Sequence, residues 1–479
     1  MTDTRDPVEK AIDGCASLVT GVAIALVVEA FSDSDTRNKN LVTSKGPGVL
    51  VGRETRFMWG PGKQVRVPHR ERLEHMHIVG ATGSGKTTTL KNLIIQDFHA
   101  GNGVVIIDPK GDLAKPMMGH VPLERVDDCI VFDPTDREWP VAFNILEAVD
   151  SNQRSRAADE FVMAFKKIHT DNWGVQLDRV LRYAAITLME VPNTTVLDVE
   201  DLLFDENYRQ RVLAKVTRPR LLTFWNDRYP QMIRGGNLNR VTTPILNRID
   251  PMLMYPEVER IVGQAVGSID LRQVIEEKKI LFINIPESEL GEGLSKFLGA
   301  IIISKLQMAG MSGISSAASR PPIFLYIDEF QNFLTSSFEK IVVEARSFGM
   351  GLIVANQYIE QLQTKLQKAL NSNVAVRLQC KVRNDRQRHW LFYQQPQKME
   401  NADAGFWLVP NSPIGPGDPK IAQMVRQRSR RRYAMPRATV DRALRRRRPV
   451  AIQQPAPTTT RSPNQQLAKS WSSQNFYKN

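Results

Sequence analysis

Short, unbroken apolar runs recur along the first four-fifths of the chain: His77-Ile78-Val79, Val104-Val105-Ile106-Ile107, Cys129-Ile130-Val131-Phe132, Ile280 to Ile285, Ile323 to Ile327 and Leu352 to Ala355. Runs of this length without polar alternation are the signature of strands buried on both faces of a parallel sheet. Most end abruptly in charged or amide residues: Asp108 with Lys110 and Asp112, Asp133, Asp328 with Glu329, and Asn356 with Gln357. Ligands sit beyond the carboxyl ends of the strands in such sheets, so these termini are candidate chemistry, with a plain structural turn the alternative for Asp108, Lys110 and Asp112. Gly48 to Gly52 and Gln64 to Pro68 read as two short strands around the Gly60-Pro61-Gly62 turn, and Asn373 to Cys380 as a further strand. Between Ser151 and about Gly263 the period changes. Ala157–Ile168, Leu177–Glu190, Val199–Leu203 and Asn207–Val216 have helical spacing, which predicts an all-helical insert with Phe161, Phe165, Trp173 and Trp225 in its core. A helix from Leu294 to Ala309 and a small-residue loop from Met311 to Pro322 follow.

The pattern predicts an α/β protein with a mainly parallel sheet interrupted by helices. We divide the 479 residues into an N-terminal helix and linker (1–45), a first part of the sheet domain (46–150), the helical insert (151–263), a second part of the sheet domain (264–410) and a tail (411–479). A composition of 42% hydrophobic and 24% charged residues suits a folded core of this size. The net charge of +13 is concentrated near one end, where eleven arginines between Arg426 and Arg448 face Asp441 alone. That density of charge, followed by a Pro-, Gln-, Ser- and Thr-rich stretch from Gln453 to Ser473, predicts a basic tail disordered from about residue 425. The tail reads either as a solvated segment without a partner or as a sequence-independent binder of phosphates. Cys15, Cys129 and Cys380 lack metal-like spacing and point to a reducing compartment. Residues Gly14 to Val28 form the one long apolar run, about fifteen residues where a spanning helix needs about twenty. It reads as a helix packed on a partner or as a membrane anchor.

The segment Gly80-Ala81-Thr82-Gly83-Ser84-Gly85-Lys86-Thr87 satisfies the G-x-x-x-x-G-K-[ST] phosphate loop, and it lies between an apolar run and the Thr88-Thr89-Leu90 start of a helical stretch. The glycines let backbone N–H groups curl around phosphate, Lys86 supplies a point charge, Thr87 offers a hydroxyl to Mg²⁺, and the helix N-terminus faces the anion. ATP with Mg²⁺ is the implied cofactor pair. Asp328 is placed to complete the Mg²⁺ shell, and Glu329, one residue further, to polarise a water for in-line attack on the γ-phosphate. The Gln357 amide is a candidate sensor of γ-phosphate, with an ordinary solvated strand end as the alternative. Together these residues point to an ATP hydrolase.

Roughly 240 residues separate Lys86 from Asp328, more than a compact nucleotide-binding domain needs, so the helical insert divides the site in sequence. The stretches VGATGSGKTT, VVIIDPKGDL, VFDPTD, LYIDEFQNF, EARSFGMGL and IVANQY together resemble the DNA-pumping ATPases of the FtsK/HerA superfamily. Within it, the chain is similar to the coupling proteins of type IV secretion and bacterial conjugation, over roughly residues 48 to 380. The resemblance implies a RecA-like motor core with an inserted all-helical domain, assembled as a homo-hexamer with DNA in its central channel. By position it implies that Lys86 and Thr87 bind nucleotide and Mg²⁺, that Asp328 and Glu329 are the metal and base carboxylates, that Gln357 is the sensor, and that Arg346 is a finger reaching a neighbouring subunit. Arg346 otherwise reads as a surface helix arginine. Implied partners are DNA, a relaxase–DNA complex and secretion-channel proteins, at a cytoplasmic site associated with the inner membrane. Family members usually begin with inner-membrane helices, for which this chain has only residues 14–28. The segment VRNDRQRHWLFYQQP and the arginine-rich end depart from the usual finish. A soluble HerA-like helicase working with a nuclease, and a docking receptor that uses ATP only to assemble, are the rival readings.

Overall fold

The computed structural model describes residues 48–54, 62–148, 151–169, 173–312, 322–334, 336–383, 388–396 and 405–447. The run 14–28, most of the small-residue loop after Met311 and the stretch 453–473 lie outside them. Among the described residues, eleven strands form one sheet: β1 (Val49–Glu54), β2 (Gln64–Val67), β3 (Met76–Val79), β4 (Gly103–Asp108), β5 (Cys129–Phe132), β6 (Ile280–Asn284), β7 (Ile323–Ile327), β8 (Met350–Asn356), β9 (Val376–Arg383), β10 (Arg388–Gln394) and β11 (Phe406–Pro410). Their order is β2-β1-β11-β10-β9-β3-β8-β7-β4-β6-β5. The seven from β9 to β5 are mutually parallel, while β10, β11, β1 and β2 extend the sheet in antiparallel fashion. The fold is therefore α/β with a largely parallel sheet.

The unbroken apolar runs are explained by two cores, one on each face of the sheet. Successive strand residues alternate between them, since side chains in a strand point to opposite faces. Val104, Ile106, Phe324, Tyr326, Ile353 and Ala355 join one cluster, and Val105, Ile107, Leu325, Ile327, Leu352 and Val354 join the other. The first core is closed by helix α1 (Lys86–His99), which contributes Leu90, Leu93, Ile94 and Phe98. The second is closed by helices from the segment between β5 and β6, including α2 (Arg154–Ile168), and by α3 (Glu292–Ser312). The described residues between β5 and β6 carry helices and no strand. Phe161, Phe165 and Trp225 are fully buried there, and Phe165 meets Phe297 of α3 with ring centroids 4.5 Å apart; Trp173 is half-buried.

The arginine-rich end departs from the expectation. Where disorder is predicted from about residue 425, two helices form, α4 (Pro419–Tyr433) and α5 (Arg437–Arg447). Asp418 caps α4 by accepting from Lys420 N–H at 2.8 Å, with Pro419 in the first turn, where its missing N–H is no loss. Ala422, Val425 and Ser429 make a narrow buried face against β5, and Ser429 Oγ accepts the Val131 N–H at 2.8 Å. Arg430 pairs with Asp136 at 2.8 Å and Arg432 with Asp127 at 2.9 Å. Asp441 of α5 pairs with Arg260 at 2.6 Å, and Arg447 pairs with Asp198, both partners lying between β5 and β6. A narrow apolar stripe suffices because the helices dock on an existing core and its edge strand. The segment after Lys381 likewise yields β10 and β11, two strands not anticipated.

Candidate active site

The order of strands builds the site. Because β8 lies between β3 and β7, three carboxyl ends converge: the phosphate loop leaves β3, Asn356 and Gln357 leave β8, and Asp328 and Glu329 leave β7. Gly85 takes φ 98°, a left-handed backbone that glycine adopts without strain, and turns the loop into the first turn of α1. Gly80 has a different reason to be glycine: a Cβ there would lie 2.5 Å from Ser84 Oγ and 2.6 Å from the Cys380 carbonyl oxygen. Ala81, Thr82 and Gly83 form the exposed apex, while Ser84 and Lys86 are buried and Thr87 and Thr88 half-buried. The Lys86 ammonium donates to the Gly80 and Ala81 carbonyls at 2.5 and 3.2 Å.

Thr87 Oγ1 stands 3.5 Å from Asp328 Oδ2, although 241 residues separate them. Asp328 is almost fully buried, and burial together with the neighbouring Glu329 charge pushes its carboxyl up to about 6. A divalent cation would relieve that cost, and a hydroxyl beside a carboxylate is an oxygen donor pair suited to Mg²⁺, which uses few protein ligands plus phosphates. Glu329 adopts φ 44°, a rare backbone for a residue with a side chain. Its carboxylate accepts from Gln331 Nε2 at 2.7 Å, from Gln357 Nε2 at 3.1 Å and from the Lys110 ammonium. Burial alone would raise its carboxyl; these donors outweigh burial and hold it below the usual range.

The structure thus brings Gly80 to Thr88, Asp328, Glu329 and Gln357 together. Asp108 does not join them as a free carboxylate. It accepts four backbone N–H groups, from Lys110, Gly111, Leu113 and Ala114, at 2.7 to 3.0 Å, and so serves to fold the turn that delivers Lys110. Arg346 lies at the opposite edge: it precedes β8, whose seven residues span roughly 20 Å before Gln357 is reached. Its exposed guanidinium pairs with Glu74 at 2.9 Å, just before β3. Two contributors were not legible from motifs. Gln331 sits two residues past Glu329, and His77 Nε2 bonds Asn356 Oδ1 at 2.8 Å while the Asn356 amide donates to the Tyr358 carbonyl at 2.7 Å, which fixes the segment carrying Gln357.

Among the described residues, no helix is long and apolar enough to cross a membrane, and no cluster of three or more His, Cys, Asp or Glu side chains could hold a metal. The profile of the family described as "Type IV secretion-system coupling protein DNA-binding domain" matches residues 63–392. The type 4 coupling protein DotL of Legionella pneumophila is 20% identical over 399 residues, covering 69% of this chain and 50% of its own length. The chain therefore spans about half the length of that curated relative. Among solved structures, the plasmid coupling protein TrwB in complex with ADP and Mg²⁺ is 15% identical with a TM-score of 0.49, over 81% of this chain and 94% of that one. VirB4 of Thermoanaerobacter pseudethanolicus is 13% identical with a TM-score of 0.49, over 77% of this chain and 97% of that one. With the profile covering more than two-thirds of its length, across both halves of the site, the chain belongs to the type IV secretion-system coupling protein family.

Proposed function

We propose that this chain hydrolyses ATP and uses the hydrolysis to move DNA, as the coupling protein that feeds a type IV secretion or conjugation apparatus. The observation that carries the reading is the convergence of the phosphate loop with Asp328, Glu329 and Gln357 through the interposed strand β8. In this reading the backbone of Gly80 to Thr88 and the Lys86 ammonium bind the phosphates of ATP. Thr87 and Asp328 hold Mg²⁺, which supplies Lewis-acid stabilisation of phosphoryl charge when bound. Glu329 orients a water and takes its proton, and Gln357, already bonded to Glu329, registers the γ-phosphate. Lys110 and Gln331 keep the Glu329 carboxylate ionised and aimed. Arg346 serves a neighbouring copy in a homo-hexameric ring, a reading supported by its exposed guanidinium at the end of β8 away from its own chain's phosphate loop. The helices of 151–263 form the insert domain. Further partners are a relaxase–DNA complex and channel proteins at the cytoplasmic side of the inner membrane.

The test is ATP hydrolysis with and without DNA for the wild type and Glu329→Gln. DNA should stimulate the wild type, and the variant should retain nucleotide binding while its turnover falls about 10²-fold or more. A wild type indifferent to DNA would favour the docking receptor, and full turnover in Glu329→Gln would remove Glu329 from the mechanism. Fractionation entirely away from membranes would favour the soluble helicase.

A further inference from the structure

The arginines of α4 and α5 divide into two sets. Arg428, Arg430, Arg432, Arg437 and Arg447 form ion pairs with Asp127, Asp136, Glu138, Asp441 and Asp198, and these pairs dock the helices. Arg426, Arg431, Arg442, Arg445 and Arg446 are exposed and make no hydrogen bond or ion pair with any described residue. On α5 the spacing of 442, 445 and 446 places three guanidiniums on one face within a single turn, with Cβ atoms about 5–6 Å apart. Like charges at that spacing repel, by a few tenths of a kcal/mol per pair in an isolated helix, and beyond the pull of Arg445 on Asp441 one turn away, folding does not call for them. The buried side of α5 is occupied by Val440 and the Arg447 and Asp441 pairs, so the stripe faces solvent.

We propose that this stripe is a nucleic-acid phosphate surface, outside residues 63–392 and separate from the nucleotide site. Arginine suits it because its planar fork contacts two phosphate oxygens at once. An anionic membrane is the weaker fit. A helix lying on lipid needs large apolar side chains free to insert, and the exposed residues interleaved here are Ala438, Thr439 and Ala443, while Leu444 is half-buried against Gly263. Contact is then backbone-directed and independent of sequence, so it suits a surface that guides a moving strand.

The inference rests on the proposed function only in naming DNA as the polyanion, and its readout is separate. Binding of a fluorescent DNA duplex to the full chain, without ATP, is measured from 50 to 300 mM salt for the wild type and for the triple variant Arg442→Gln, Arg445→Gln, Arg446→Gln. Each phosphate contact contributes about 0.9 to the slope of log affinity against log salt, so the triple variant should lower that slope by about 2 to 3. Its thermal unfolding and DNA-independent ATP hydrolysis should be unchanged, because these side chains have no bonded partners. A second variant, Arg426→Gln with Arg431→Gln, should lower the slope by a further 1 to 2, again at about 0.9 per contact. An unchanged slope in both, with DNA-stimulated hydrolysis intact, overturns the surface alone. An absence of DNA stimulation in the wild type with the slope change present counts against the motor alone. Loss of binding to phosphatidylserine vesicles in the triple variant, without a change in the DNA slope, assigns the stripe to membrane and overturns the proposal.

Discussion

Replacing Asp97 with Asn should destabilise the chain more than any comparably conservative change, because Asp97 is half of a fully buried ion pair. Its partner, Arg72, precedes β3 and has no exposed surface; the two forks meet at 2.7 and 2.5 Å. The Tyr326 hydroxyl closes a triangle, accepting from Arg72 Nη2 at 2.8 Å and donating to Asp97 Oδ2 at 2.5 Å, and Asn102 adds a bond to Asp97 Oδ1 at 2.8 Å. The Arg72 guanidinium also lies 3.6 Å from the Phe324 ring centroid. The triangle ties the far end of α1, whose first turn holds Lys86 and Thr87, to β7 two residues before Asp328. Breaking one partner of a buried pair leaves an uncompensated charge at a cost of about 3–5 kcal/mol. Tyr326→Phe removes a hydroxyl and leaves the ion pair intact, at about 1–3 kcal/mol, since hydrogen bonds to charged groups are worth roughly that. Arg72→Met combined with Asp97→Leu and Tyr326→Phe removes both charges together with the hydroxyl that bridges them, and should cost less than Asp97→Asn alone. Urea unfolding followed by tryptophan fluorescence checks the ranking: with a slope of about 3 kcal/mol per M, the Asp97→Asn midpoint should fall by about 1 to 1.7 M. A fall of under about 0.3 M, or a triple variant worse than the single one, would refute the argument that the buried charge, rather than lost packing, sets the cost.

Two further outcomes follow from the same geometry. Lys86→Ala and Arg346→Ala should each abolish ATP turnover, and mixed rings should recover part of it, because one variant still donates a finger and the other still binds nucleotide; mixed oligomers without recovery would exclude a role for Arg346 across subunits. Acid should weaken the fold between pH 6.5 and 4: burial lowers both His75 and His77 to about 4, against the bond each makes and with Arg346 and Arg377 adding to the shift, so the unfolded chain takes up protons first and stability present above pH 6.5 is lost on descent. Each histidine should contribute about 1.3 kcal/mol to the loss between pH 7.5 and 5.5, and His77→Gln should flatten the pH profile of the urea midpoint by that amount, an unchanged profile counting against the assignment.

What was legible in the sequence follows from the range of the interactions. The strands that carry the site announce themselves because each is buried on both faces, so its apolar run needs no tertiary information, and the residues at its end lie at the sheet edge by construction. Gly80 to Thr87, Asp328 and Glu329 could be named for that reason. The contacts that support them could not, even where a residue such as Lys110 is already a candidate. Lys110 meets Glu329 across 219 residues, and Arg72 meets Tyr326 across 254, pairings set by the strand order that puts β4 and β8 on either side of β7. Asp108 shows the converse: the sequence leaves a strand-end carboxylate open between chemistry and a structural turn, and four backbone N–H groups decide for the turn.

The arginine-rich end shows where composition misleads. Charge density argues against folding only if the segment must build its own core and if its charges lack partners. The first condition does not hold here, and the second holds for only some of the arginines. Val425 and Val440, both fully buried, anchor the two helices on surfaces supplied by other parts of the chain, and the acidic partners Asp127, Asp136, Glu138 and Asp198 are scattered through sequence that looks balanced. The exposed pairs to Asp127 and Glu138 contribute about 0–1 kcal/mol each, so they do not hold the helices in place by themselves, whereas Asp198 is buried where Arg447 reaches it. Together the pairs remove part of the repulsion that would otherwise oppose a modest apolar contact. They do so on both sides of a seam: Asp127 and Asp136 flank β5 in the sheet, whereas Asp198 and Arg260 lie in the helices between β5 and β6. A segment that reads as a loose tail therefore connects the sheet to the helices between β5 and β6, and any movement of those helices relative to the sheet must carry α4 and α5 with it or break Arg260–Asp441 and Arg447–Asp198 first.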